Sequence, residues 1–248
     1  MNHVVTLVLS LVMAGISPSW GYADEVDTIL AQRYANFASV KKIKFDTQVE
    51  VERPATAQAP AKTVRLHYKR TMTVRDRTNS DPMKRFDAEF EVLEPIPMRF
   101  KFEDGHFRYL TNAGDWVQRD PSGGLKDLLA HLDEGQAVDP VTERQHFEVR
   151  RLKSRDNFWG TKKGLEFIPK GHTPLYSRRE EVVDVATGQA IEIHQFDDRG
   201  QRTMHHQITR MAIRSGVLVP EEMESESESA SGKVVQRTHN VSIEVETE

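Results

Sequence analysis

The chain has 248 residues, 38% hydrophobic and 29% charged, with 34 Lys and Arg against 38 Asp and Glu, a formal charge of −4 and no cysteine. That length gives one large domain or two small ones, and the acidic balance removes the phosphate attraction on which a nucleic-acid binder depends. Without cysteine there is no disulfide scaffold, thiolate metal site, catalytic thiol or lipid-anchoring cysteine.

Val4 to Ile16 is an apolar run as long as a signal-peptide core and too short to span a bilayer. Pro18 and Ser19 break it, and Gly21-Tyr22-Ala23 places small residues where a signal peptidase reads them. Residues 1–23 are therefore expected to be a signal peptide, and 24–248 a single exported domain. The run lacks a preceding Lys or Arg, and the alternative is a buried N-terminal helix. No later segment approaches eighteen apolar residues, so a periplasmic chain without a membrane span is expected.

Asp24 to Val40 reads as a helix, with Val26, Ile29, Leu30, Arg33 or Tyr34, and Phe37 on one stripe and Asp24, Glu25 and Asp27 in the first turn. The period then changes from 3.6 to 2. Ile43, Phe45, Thr47, Val49 and Val51 alternate with polar residues. Strands follow over 63–75, 85–93 and 98–103. Asp104-Gly105 is a hairpin signal, and Phe107 and Tyr109 carry the alternation onward to a turn at Asn112-Ala113-Gly114 and to Trp116-Val117. Leu125, Leu128, Leu129 and Leu132 then make one edge of a second helix between Gly123-Gly124 and Gly135. Strands return over 147–152, 164–168, 178–185, 190–196, 203–213, 217–229 and 234–245. The alternating Glu and Ser from 224 to 229 read as a strand with two polar faces, which belongs at a charge-protected sheet edge. The expected fold is mainly β with helices: about eleven antiparallel strands in one sheet that must curl and be covered on its apolar face.

Three segments resemble periplasmic lipoprotein-carrier proteins of the LolA type. The first is Leu93-Glu94-Pro95 with Met98 to Phe102, Asp104-Gly105 and Phe107 to Tyr109. The second is Leu165 to Pro169, then Val183 to Val185, Thr187-Gly188, Ile191, Ile193 and Asp197 to Gly200. The third is Leu218-Val219-Pro220 with Met223, Gly232-Lys233 and Val241 to Ile243. The resemblance implies a strongly curved half-barrel with covering helices, LolA/LolB-like, whose apolar interior shelters lipoprotein acyl chains or another amphiphile. It implies no enzyme activity and no cofactor. A monomer passing cargo from an inner-membrane donor to an outer-membrane acceptor protein fits it. It also implies the alternative of a periplasmic sensor that binds a partner protein. One position departs: the carriers place an Arg before that proline, which ties their covering helices down, whereas Glu94 precedes Pro95 here. That implies a divergent relative with another cargo.

The ligand-binding set expected on this basis is Phe45, Val49, Phe100, Phe102, Phe107, Tyr109, Ile191 and Ile193 in the cavity, with Leu128, Leu129 and Leu132 as a lid. A filled core is the plainer reading of the same residues. No metal is expected. His205 and His206 are adjacent on a strand and point to opposite faces, and His194 facing one of them would still lack a third ligand. No nucleophile elbow or phosphate loop occurs. Trp116 and Trp159, each beside a glycine-bearing turn, read as turn packing, with rim aromatics as the alternative.

Overall fold

The computed structural model describes residues 24–55, 60–79, 84–104, 106–118, 140–171, 176–229 and 232–248. The predicted signal peptide and the predicted helix bearing Leu128, Leu129 and Leu132 lie outside the described residues. Helix α1 runs Glu25–Phe37; Asp24 caps it by accepting from the Val26 N–H (3.3 Å). It ends earlier than its sequence pattern suggests, because Val40 already opens the first strand.

Six strands follow: β1 (Val40–Arg53), β2 (Lys62–Val74), β3 (Phe86–Glu94), β4 (Met98–Glu103), β5 (His106–Leu110) and β6 (Trp116–Gln118). A short helix α2 (Pro140–His146) precedes the other seven: β7 (Phe147–Arg151), β8 (Lys162–Pro169), β9 (Arg178–Asp184), β10 (Ala190–Phe196), β11 (Arg202–Arg214), β12 (Val217–Ser229) and β13 (Gly232–Thr247). These thirteen strands of the described residues form one sheet in the order β6-β5-β4-β3-β2-β1-β13-β12-β11-β10-β9-β8-β7. Two meanders thus meet where the first strand pairs antiparallel with the last. The sheet is open, with β6 and β7 at its edges.

Three expectations need correction. The strands number thirteen rather than about eleven, since the short β5 and β6 each pair in register as separate strands. Helix α2 was not foreseen, because only Thr142 is buried in it and no apolar stripe marks it. Strand β12 is not at an edge but lies between β11 and β13. Its Glu face is satisfied across the strands by Arg210 to Glu222 (2.9 Å), Arg237 to Glu224 (3.0 Å) and Lys233 to Glu226 (2.5 Å). On its other face Ser225 bonds His206 (2.7 Å). Polar faces tolerate an interior place in a sheet when neighbours supply the opposite charge.

Tight turns set the pairing. Ser215 and Gly216 both have positive φ (50° and 79°), as a two-residue type I′ turn between β11 and β12 requires. Gly188, at φ 68°, closes β9–β10 directly against α1, where a Cβ would come within 2.4 Å of the Ile29 carbonyl oxygen. No other residue fits there.

Helix α1 defines an inner face. Val26, Ile29 and Leu30 pack on Val149, Leu165, Phe167 and Val183, while Phe37 joins a second cluster on β1 to β5, β12 and β13. Near its start Glu25 bonds Arg151 of β7 (2.8 Å), and near its end Asn36 exchanges two 3.0 Å hydrogen bonds with Leu218 of β12. Residues 25 and 36 are about 17 Å apart along a helix axis. In a flat sheet β7 and β12 would be separated by about 24 Å. A sheet curled around the helix fits both lengths.

Candidate functional site

Strand register shows which side chains share a face, because paired residues point the same way. On the inner face Phe45 pairs with Arg70, Arg70 with Phe90, Phe90 with Phe100, and Phe100 with Tyr109, one row across five strands. The next row holds Ile43, Met72, Ala88, Phe102 and Phe107. Phe90 stacks on Phe100 (4.6 Å, 13°), and Phe100 meets Phe107 at 5.7 Å. Phe45, Phe100, Phe102 and Phe107 are buried and Tyr109 packs against them, so the structure gathers five of the predicted residues into one cluster.

The remaining predicted residues are placed otherwise. Val49 is buried on the same face between Leu66 and Thr238. Ile193 is half-buried on β10, four strands from β1, opposite Glu181 and His206. Ile191 falls at a register break between Ala190 and Glu192. Neither isoleucine joins the aromatic cluster. Leu128, Leu129 and Leu132 lie outside the described residues.

Sequence reasoning missed Arg70. Its guanidinium lies 4.4 Å from the centre of the Phe45 ring, and its Nε has no hydrogen-bond partner. Among the described residues it is bridged to no carboxylate. Burial pushes it below the usual arginine range. A cation held against an aromatic surface in this way is attracted by the ring but keeps unsatisfied donors. The signal was present: Arg70 interrupts the apolar alternation of Leu66, Tyr68 and Met72.

The α1 end of the inner face is built differently. Glu181 is 2% exposed and takes Arg33 of α1 at 2.5 Å and Arg179 at 3.0 Å. The Arg179 guanidinium also covers the Phe167 ring at 4.4 Å. Its polar groups are paired with one another, which marks a structural joint.

The opposite, outer face carries two features. A groove of about 540 Å³ crosses β2, β1, β13 and β12, lined by Glu50, Arg65, His67, Glu94 and Arg237 among others. Paired charges, as in Arg65–Glu50 (3.1 Å) and Arg237–Glu224 (3.0 Å), line it together with Val49, Leu66 and Met223. Glu94, the departure from the carrier pattern, is exposed beside it.

The second feature is a histidine pair. His194 and His205 are register partners with rings stacked at 4.6 Å and 3°. Glu192 Oε1 sits 2.8 Å from His194 Nε2 and 3.1 Å from His205 Nε2. The expectation that this pair lacks a third donor is therefore corrected: period two puts Glu192 on the face of His194. Burial pushes the His194 imidazole below the usual histidine range, and the Arg155 charge adds to this while Glu192 opposes it.

The turn packing expected for Trp159 also fails. Phe158 and Trp159 are 92% and 80% exposed and touch only edge to face (5.2 Å), because the Asn157–Gly160 turn projects both rings outward. Trp116 is half-buried with Lys101 Nζ 5.0 Å from its ring.

The sheet is open and antiparallel, with a helix and an aromatic cluster on one face. Neither protein-family models nor curated proteins match the chain. Solved structures do. A domain described as an outer membrane lipoprotein-sorting protein domain from Vibrio parahaemolyticus superposes with a TM-score of 0.64 at 12% identity, over 89% of this chain and 92% of that one. A LolA superfamily protein from Nitrosomonas europaea gives 0.57 at 10%, over 90% and 94%. A DUF1329 family protein from Desulfovibrio piger gives 0.55 at 14%, over 90% and 92%. The chain shares the fold of these three structures.

Proposed function

We propose that this protein is a non-enzymatic periplasmic carrier that shelters an acyl chain or another amphiphile against the inner face of β1 to β5. The observation that carries the reading is the row Phe45, Arg70, Phe90, Phe100, Tyr109: a continuous aromatic surface with one cation set into it. An acyl chain laid on such a surface gains about 0.8 kcal/mol per buried methylene. Arg70 adds a donor for an anionic head or an ester oxygen. Sorting to the outer membrane is the role named for the Vibrio domain of the same fold. Cargo transfer between an inner-membrane donor and an outer-membrane acceptor would follow from it.

A fluorescent fatty-acyl probe titrated into the full chain tests this, alongside native mass spectrometry of protein isolated from the periplasm. Saturable one-to-one binding, displaced by unlabelled fatty acid, is expected. A folded protein that binds no probe and carries no lipid mass would overturn the carrier reading. One observation favours a second reading, a sensor that binds a partner protein: the exposed Phe158–Trp159 pair is the kind of aromatic anchor that protein contacts use. Loss of partner binding in Trp159→Ala, with no lipid bound by either form, would be its signature.

A further inference from the structure

We propose that Glu192, His194 and His205 form a binding site for a divalent transition-metal ion on the outer face of the sheet, with Zn2+ the cation that suits the donor set. It goes beyond the carrier reading and is independent of it, since the aromatic cluster lies on the other face.

Two imidazole nitrogens and one carboxylate oxygen are the donors from which three-ligand zinc sites are built, and imidazole with carboxylate suits Zn2+ better than the hard cations Mg2+ and Ca2+. The three donor atoms lie within 4.8 Å of one another. A zinc ion bonding all three at about 2.1 Å would hold them roughly 3.4 Å apart. Glu192 Oε1 is already closer than that to both Nε2 atoms, so it sits between the two nitrogens of the parallel ring stack. Binding requires the carboxylate to withdraw by a fraction of an ångström and the two imidazoles to turn out of their parallel stack, so that their in-plane lone pairs meet at the ion. Glu192 is one-third exposed, which leaves it free to do so.

The frame is rigid. His194 and His205 are directly opposed on β10 and β11, and the pair is continued on both sides by register partners, Glu180 on β9 and Glu226 on β12. Glu180 is held by Arg155 (2.8 Å) and Arg178 (3.2 Å), and Glu226 by Lys233 (2.5 Å), so these two set the local charge and leave the ligand positions to the central three. His205 is one-fifth exposed, which gives a metal access from solvent and leaves a fourth position for water. His194 Nδ1 is buried without a partner. No second bond therefore fixes the tautomer, and sites lacking that support bind more weakly, by about ten- to a hundredfold. Affinity in the micromolar range is expected.

The test is calorimetric titration of Zn2+ into the full chain, with Co2+ as a spectroscopic probe of coordination. One zinc per chain is expected, with Co2+ absorption bands in the visible and a melting temperature raised by Zn2+ and restored by chelator. His205→Ala should weaken binding at least tenfold and abolish the Co2+ bands. Glu192→Gln, which keeps the side-chain shape, should weaken it similarly and serves as the readout should His205→Ala fold poorly. His206→Asn, on the opposite face, should leave the site intact. No zinc binding by the unaltered chain, or binding by Glu192→Gln and His205→Ala as tight as by the unaltered chain, overturns the proposal.

Discussion

Glu181 and Arg70 are both charges on the inner face, and their partners make them opposites. Glu181 holds Arg33 and Arg179 at once, so removing its charge takes a carboxylate from two guanidiniums, one of them 4% exposed. Breaking a buried pair from one side costs about 3–5 kcal/mol. Arg179 keeps Glu143 at 3.6 Å, which places the expected loss for Glu181→Gln near the lower end, about 3 kcal/mol by urea unfolding. Arg70 has no ion pair to lose among the described residues. Arg70→Met should therefore leave the melting temperature unchanged or raised, while binding of an anionic acyl probe falls about tenfold. A large loss of stability without loss of binding would make Arg70 a structural residue. Neither charge was singled out in the sequence, and the partners of Glu181 are not readable from it. The apolar alternation of β2 exposes Arg70 as an intruder, and period two places Glu192 beside His194. The distances of 148 residues from Arg33 to Glu181 and 13 from Glu192 to His205 are closed only by topology.

At the scale of elements, the start of α1 is a joint between helix and sheet. Arg151 of β7 bonds Glu25 (2.8 Å) and Asp156 (2.8 Å), and the Gly164 N–H donates to Asp156 (2.9 Å). Burial alone would raise the Asp156 carboxyl; the Gly164 N–H and Arg151 overcome it and hold it below the usual range. The Arg151 hydrogen bond likewise lowers Glu25, against some desolvation. A carboxyl that titrates lower when folded contributes stability above its unfolded value and loses it as pH falls through the folded one. Stability should therefore hold down to about pH 4.5 and decline below it. Asp156→Asn should be less stable at pH 7 and show a flatter acid limb in urea midpoints measured across pH 2.5–7. An unchanged limb would remove this joint from the account. Elements with a local cause were readable in the sequence: Asp24 before an apolar stripe announces α1, and the alternation of β1 to β4 announces strands with a named inner face. The place of β12 was not. A strand of alternating Glu and Ser looks like an edge until Arg210, Lys233 and Arg237 arrive from neighbours the sequence does not order.

For the whole molecule, one continuous sheet carries two clusters with different coverings. The α1 cluster is closed on both sides: Phe167 is 0% exposed among Val26, Ile29, Leu30, Leu165 and Val183, with Arg179 over its ring. The aromatic cluster of β1 to β5 receives only Phe37 from the described helices, and Phe100 retains 9% exposure. Stability and binding should therefore separate along the sheet. Phe167→Ala removes a ring from closed packing and should cost about 3–5 kcal/mol, while acyl-probe affinity of the folded protein stays within twofold. Phe100→Ala should cost less, because a ring facing a ligand surface has fewer packed neighbours to lose, yet should weaken the probe at least tenfold. Unfolding free energies and probe dissociation constants for the two variants decide it. If Phe100→Ala destabilises as much as Phe167→Ala and leaves binding untouched, the β1 to β5 face is an ordinary core and the carrier needs another surface. If each variant moves only its own measurement, α1 anchors a rigid half of the sheet and the other half is free to exchange cargo.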